Sequence, residues 1–246
     1  MSNRWLHLRL AAPLMAFGGV AIDHVGVTRE FPSASALTGL LANALGWHRH
    51  QGAEHQALQD RLVFAALSVL PEGGSAPWII TDNQNARLYE DEPGWTTSDS
   101  PERRNKGPSY SNAPLGQQFG NQAGRKWITH RRRRDYLADH ETRVVLRLKA
   151  AQGQSLEDLA QALDRPARPL FIGRKPCIPS GRLFQGWVQG DSAHDALRAL
   201  GMTGQALWPD EGQPHPGALR LDIPDTRNWI SGLHGGARIV WQGMIA

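Results

Sequence analysis

The order in which strand-like and helix-like segments follow one another restricts this chain more than any other feature. Residues 4–11, RWLHLRLA, place Trp5, His7 and Arg9 on one face and Leu6, Leu8 and Leu10 on the other. That period of two is the mark of a half-buried strand with a polar outer face. Pro13 and the Gly18-Gly19 pair end it. In the next segment Pro32 and Ser33 are helix-start signals, with Ser33 or Ser35 as N-cap. Leu37, Leu40, Leu41, Ala44 and Leu45 follow at helical spacing, and Gly46 suits the stop. Residues 61–70 (RLVFAALSVL) read as a buried strand, and Trp78 to Thr81 begin another. Residues 141–149 (ETRVVLRLK) read as a strand, and SLEDLAQAL as a helix with Ser155 and Asp158 in a capping box. Residues 182–189 give a further strand, and DSAHDALRAL a helix stopped by Gly201. The order βαββαβ predicts an α+β fold, a ferredoxin-like or RRM-like antiparallel sheet with both helices on one face. Residues 1–190 form this domain, with an insertion over about 82–127. Residues 191–246 form a small C-terminal α/β region with a Pro/Gly-rich, irregular β tail.

Other features remove whole classes of function. The one cysteine, Cys177, excludes an internal disulfide framework and a cysteine-based zinc site, and reads as a small core residue. His48 and His50, with His55 beyond, do not share a helix face, and no carboxylate motif completes a metal set. No cofactor is expected: the chain has no P-loop, dinucleotide fingerprint or nucleophile elbow. No apolar run approaches the ~18 residues of a membrane span. The N-terminus lacks the pattern of a secretory signal, so a cytoplasmic location is expected, away from membranes.

Charge is unevenly placed. Of 27 basic residues 23 are Arg, and the net charge is +4. Between residues 102 and 149 stand twelve basic and four acidic residues, so this segment carries +8 and the remainder −4. A codon bias toward Arg would spread these residues evenly. A local basic block on an acidic body is the footprint of a polyanion partner. Tyr110, Phe119 and Trp127 are interleaved with the block and can stack on bases. The nine Trp residues also suit a protein–protein module.

Four blocks together resemble the CasD subunit family of type I-E CRISPR Cascade, within the CRISPR-associated RAMP superfamily. They are LRLAAPLMAFG with TREFPSASALTGLLANALGW, then HQALQDRLVFAA, RRDYLAD, and RPLFIGRKPCIPSGRLFQG. The resemblance implies a ferredoxin-like RAMP domain with a long β-hairpin thumb and a small C-terminal β part. It implies an RNA-binding, non-catalytic subunit of an antiviral ribonucleoprotein surveillance complex. That subunit holds the 5′ handle of the CRISPR RNA, caps the backbone filament and neighbours the large PAM-reading subunit. Its partners are therefore CRISPR RNA and Cascade backbone subunits, with target DNA reached only through the complex. The thumb would be 82–127, and Lys126, Trp127, His130, Arg131, Arg132, Arg133 and Arg134 would line its base.

Two further groups suit RNA phosphates. The start of the 33–46 helix offers backbone N–H groups with Ser33 and Ser35 as extra donors and Arg29 just before. Gly173-Arg174-Lys175 offers close backbone approach and two cations. An alternative function is metal-independent cleavage of CRISPR repeat RNA, as in the related type I-C subunit. It needs a general base, a general acid and a cation, for which His130 and Lys126, with Tyr136, are the candidates. Lys126 and His130 stand four apart rather than adjacent, unlike the type I-C pair.

Overall fold

A computed structural model describes residues 3–19, 24–70, 77–89, 94–95, 101–102, 127–213 and 215–246. Its elements in chain order are β1 (Asn3–Met15), β2 (Val25–Gly26), α1 (Ala34–Ala44), α2 (Gly52–Arg61), β3 (Leu62–Val69) and β4 (Trp78–Tyr89). Then come β5 (Gly94–Trp95), β6 (Pro101–Glu102), β7 (Trp127–Leu148), α3 (Leu156–Asp164) and β8 (Phe184–Gly190). The last are α4 (Ala193–Arg198), β9 (Gly204–Pro209), β10 (Leu219–Arg227) and β11 (His234–Ile245). The chain forms two compact units: Met1–Gly19 with Thr28–Ile80 and Tyr136–Ala246, and Val20–Val27 with Thr81–Asp135. The expected boundary at residue 190 falls inside the first of them.

The alternation of β1 holds in the first unit. Leu6, Leu8 and Leu10 are buried with Phe64 of β3 and Val144 and Leu146 of β7, under Leu37 and Leu41 of α1, Leu58 of α2 and Leu159 and Leu163 of α3. Each such side chain contributes about 2 kcal/mol by leaving water. The strand order is β10-β11-β9-β3-β7-β1-β8, and each neighbouring pair on that path runs antiparallel. This is an α+β, mostly antiparallel architecture.

The outer face of β1 is less polar in its surroundings than its sequence predicts. Trp5 is fully buried with Ala65, Leu67, Val145 and Trp208, beneath Ala193, Ala196 and Leu197 of α4. Its indole N–H donates to the Gly190 carbonyl at 2.9 Å. Gly190 has to lack a side chain, because a Cβ there would come within 2.5 Å of the Ala196 nitrogen. The tail is also less separate than expected: β9 pairs with β3, so residues 204–245 extend the same sheet.

Local signals set the helix ends. Ser33 accepts from the Ala36 N–H at 3.0 Å, and Ser155 and Asp158 close the expected capping box. Helix α2 has no counterpart in the sequence pattern, since only His55, Leu58 and Gln59 are buried on it. The C-terminal strands are tied to α1 by Asp225, a buried carboxylate that accepts from the Ala34 N–H at 3.2 Å and from Arg238 Nε at 3.0 Å.

On the α4 side of β1, burial and then the Arg143 charge push the His7 imidazole down to about 4, against the opposing charge of Glu141. Burial would raise the Glu141 carboxyl, but hydrogen bonds and charge from Arg9 and Arg143 hold it below the ordinary carboxylate range. His7 is protonated in the unfolded chain at its ordinary 6.5, but in the folded protein only near 4. The unfolded state therefore binds the extra proton in between, and stability falls as pH drops from 6.5 toward 4. Urea unfolding across that range is expected to show the decline, with a shallower slope in His7→Gln. Asp225→Ala leaves Arg238 facing a buried vacancy and uncaps Ala34. It is expected to cost about 3 kcal/mol in the same measurement.

Candidate nucleic-acid interface

The N-terminal end of α1 and the loop around Gly173 face each other across a groove of about 390 Å³ in the first unit. Ser33, Ser35, Ala36, Gly39, Leu40 and Asn43 line one side of it. Ala16, Phe17, Gly18, Phe171, Gly173 and Arg174 line another, and Arg227 and Trp229 complete it. The groove exists because the 172–177 loop is folded tightly back on itself: Ile172 N–H donates to the Cys177 carbonyl and Cys177 N–H to that of Arg174, both at 2.8 Å. Gly173 has φ +90°, and a Cβ there would lie 1.6 Å from the Ala16 oxygen. No side-chain-bearing residue fits. Cys177 beneath the loop is 1% exposed, and burial raises its thiol above the ordinary value despite a backbone hydrogen bond and the Arg174 charge. This agrees with a packing role.

The structure brings Ser33, Ser35 and Arg174 together in this groove. The two serine hydroxyls lie 3.0 Å apart. The Arg174 guanidinium sits 4.7 Å from the ring centroid of Tyr136, which is itself only 5% exposed. Lys175 is exposed on the same loop. Arg29 does not line the groove; its Nη2 reaches toward the Pro224 carbonyl at 3.5 Å. The helix start offers fewer backbone donors than its sequence suggests. Ala34 donates to Asp225 and Ala36 to Ser33, leaving Ser35 as the first-turn N–H without a partner among the described residues.

The other expected residues belong to β7 in the second unit. Arg132 and Arg133 are exposed there, and Arg134 is half-buried. Val25 and Gly26 of β2 run parallel to Arg133 and Arg134, with the Arg133 N–H donating to the His24 carbonyl at 2.9 Å. Arg134 Nη1 also donates to that carbonyl. Asp135 accepts from Thr81 at 2.8 Å and from Arg133 Nε at 3.4 Å. Trp127, His130 and Arg131 lie on β7, but their side chains fall outside the described residues, as do Lys126, Tyr110 and Phe119.

Part of the basic block is structural. Arg143 pairs with Glu141 at 2.6 Å and is 16% exposed at its side chain, and Arg147 pairs with Glu211 at 3.5 Å while lying over Trp5. Sequence reasoning misses Phe17, Asn43, Phe171, Arg227 and Trp229. The only signal for the last two is an Arg and a Trp two apart in the irregular tail.

The chain combines a mostly antiparallel α+β sheet, a groove lined by serines and arginines, and exposed arginines on the N-terminal part of β7. The chain belongs to the Cas5 family: the model described as CRISPR-associated protein (Cas_Cas5) matches residues 5–241. The resemblance read from the four sequence blocks is thereby borne out. The chain is 25% identical over 207 residues to the CRISPR system Cascade subunit CasD of Escherichia coli (strain K12), covering 84% of this chain and 81% of that protein. A chain of a solved CRISPR RNA-guided surveillance complex matches with TM-score 0.62 and 18% identity, covering 98% of this chain and 89% of the other. A crystal structure of a Cas protein matches with TM-score 0.59 and 20% identity, over 99% and 95% of the two chains. At these identities the two structures speak for the fold.

Gly173→Ala is expected to lower stability by at least about 2 kcal/mol, from backbone strain at φ +90° and collision with the Ala16 carbonyl. Urea unfolding of the purified variant checks it.

Proposed function

We propose that this chain is an RNA-binding, non-catalytic subunit of a Cascade-type CRISPR surveillance complex. It holds the 5′ handle of the CRISPR RNA, caps one end of the backbone filament, and neighbours the large PAM-reading subunit. The observation that carries this reading is the groove in which Ser33, Ser35 and Arg174 converge, within a chain of the Cas5 family. Hydroxyls and guanidinium groups are the donors that hold phosphate oxygens. Exposed Arg132 and Arg133 add cations of the same kind.

The strand order supports the RAMP architecture. Strands β3, β7, β1 and β8 lie side by side in that order, and α1 and α3 cover the same face. A ferredoxin-like βαββαβ unit has its strands and helices in this order. The long strands β4 and β7, which pair, flank the segment read as the thumb. Most of that segment lies outside the described residues.

Tyr136, a candidate in the cleavage reading, is buried with its ring against the Arg174 guanidinium, which favours a packing role for it.

Affinity for handle RNA is expected to fall steeply with salt. Removing one cation that neutralises a phosphate should flatten the slope of log K against log salt by about 0.7 for single strands. Arg132→Ala with Arg133→Ala should therefore reduce the slope by roughly 1.4 without altering unfolding. An unchanged slope removes these residues from the interface. Incubation with repeat RNA in the absence of metal is expected to leave it intact. Defined products that vanish in His130→Ala would replace the non-catalytic reading with the endoribonuclease one.

A further inference from the structure

We infer that the turn joining β10 to β11, residues 228–233, is a preformed apolar prong that docks into a pocket on a neighbouring protein, with Ile230 and Leu233 as its anchors. The pocket it fits is apolar at its floor and carries a carboxylate at its rim. This rests on the reading of the chain as a subunit of a protein–RNA complex, and it assigns a surface that none of the sequence motifs touches.

The anchors stand out by their exposure. Ile230 is 77% exposed and Leu233 71%. A single exposed aliphatic residue is ordinary on a protein surface, but two at one turn are not. The usual turn formers are present as Asn228, Ser231 and Gly232, yet their polar groups are spent inside the turn. Asn228 Oδ1 accepts from the N–H groups of Ile230 at 3.1 Å and Ser231 at 2.9 Å. The Gly232 N–H donates to the Asn228 carbonyl at 2.9 Å, and the Asn228 N–H to that of Leu233 at 3.0 Å. The Leu233 N–H donates to Ser231 Oγ at 3.3 Å. With the Trp229 N–H donating to Gln56 at 3.0 Å, every backbone N–H from Asn228 to Leu233 has an acceptor. Gly232, at φ +77°, lets the turn close. What the turn presents outward is chiefly hydrocarbon.

The prong is also held from behind. Gln59, 7% exposed, donates to the Arg227 carbonyl at 2.8 Å and accepts from the Arg227 N–H at 3.2 Å. The same Gln59 oxygen accepts from the Trp229 indole at 3.0 Å, and the Trp229 ring stacks on His55 at 4.7 Å. A Cβ at Gly52 would lie 2.6 Å from the Trp229 oxygen and 3.4 Å from the Ile230 Cα, so the first residue of α2 lies directly against the turn. An anchor fixed in this way loses little freedom on docking.

The chemistry of the prong selects the class of partner. Ile and Leu have neither a π face nor a donor, so they cannot stack on bases or hold phosphate. An apolar pocket on a folded protein does gain from them, since hydrocarbon leaves water on both sides. The charge nearby is mainly basic. A Cβ at Gly232 would stand 3.5 Å from Arg227 Nη2, and Arg49 is exposed just ahead of Gly52. The nearest carboxylate along α2 is that of Glu54, which accepts from Gln51 at 3.3 Å. Two guanidinium groups against one carboxylate favour an acidic rim on the partner's pocket.

The test uses the full chain, tagged, in the ribonucleoprotein complex purified from its native host. Leu233→p-benzoylphenylalanine is photo-cross-linked in that complex, and the joined peptide is identified by mass spectrometry. The expected product joins position 233 to an apolar pocket of another protein that carries Asp or Glu at its rim. Ile230→Ser with Leu233→Ser is expected to bind that protein, once purified, about tenfold more weakly than wild type. Ile230→Leu with Leu233→Ile is expected to keep wild-type affinity. Thermal unfolding of the double-serine variant, and its affinity for handle RNA as the isolated chain, should be unchanged. A cross-link to RNA, to a second copy of this chain or to nothing in an assembled complex overturns the inference and leaves the RNA-binding reading standing. So does unchanged affinity for the partner in the double-serine variant. If the wild-type chain purifies with neither RNA nor other proteins, the proposed function falls and this inference with it.

Discussion

Strands β1, β3 and β7 are apolar on both faces, and a sheet centre of that kind has to be covered twice. Leu6, Leu8, Phe64, Val144 and Leu146 face one way, and Trp5, Ala65, Leu67 and Val145 face the other. The first set dictates where α1, α2 and α3 pack, and the second set requires α4. The positions of the helix ends follow. The start of α1 meets the 172–177 loop because β1, which runs on to Met15 under both, ties them to the same strand: Ser180 N–H donates to the Ala11 carbonyl and Ala16 N–H to that of Ile172. The groove is thus a by-product of double coverage, bounded by the first turn of a helix and a loop too tight to admit a Cβ.

Charge in this protein divides by environment. Arg143, Arg147 and Arg238 are paired with carboxylates, Arg147 and Arg238 also lying over the Trp5 and Phe64 rings, and removing a partner leaves a largely buried charge. Glu211 accepts from the α4 N-terminus while pairing with Arg147, so one carboxylate fixes a helix start to the sheet. Arg132 and Arg133 differ, since they are exposed even though Arg133 also contacts Asp135 at 3.4 Å, and attraction for a polyanion there carries little desolvation cost. The local excess of +8 counted along the chain therefore overstates what is available to a partner.

Much of the fold is legible from short-range chemistry. The alternation in RWLHLRLA, the Ser33 cap and the Ser155–Asp158 box each involve groups a few residues apart. Helix α2 is not legible because its stability comes from three buried residues and from contacts of Gln56 and Gln59 with residues 227–229. Burial of Trp5 escapes the pattern for a similar reason, as a neighbouring His and Arg give that face a polar appearance. Of the site, Ser33, Ser35 and Arg174 are visible as phosphate-type donors, while Arg227 and Trp229 show only as an Arg and a Trp two apart in the tail.

By itself the sequence determined the main strands, the helices α1, α3 and α4 with their caps, the inward leucine face of β1 and the family, because periodicity, capping and motif blocks act over a few residues. Only the tertiary structure decided which charges are internal, that the tail joins the main sheet, and that Arg227 stands across a groove from Ser33. The physical reason is visible in Asp225, which caps Ala34 from 191 residues away. Such a contact depends on how sheet and helices pack, and no local pattern encodes it.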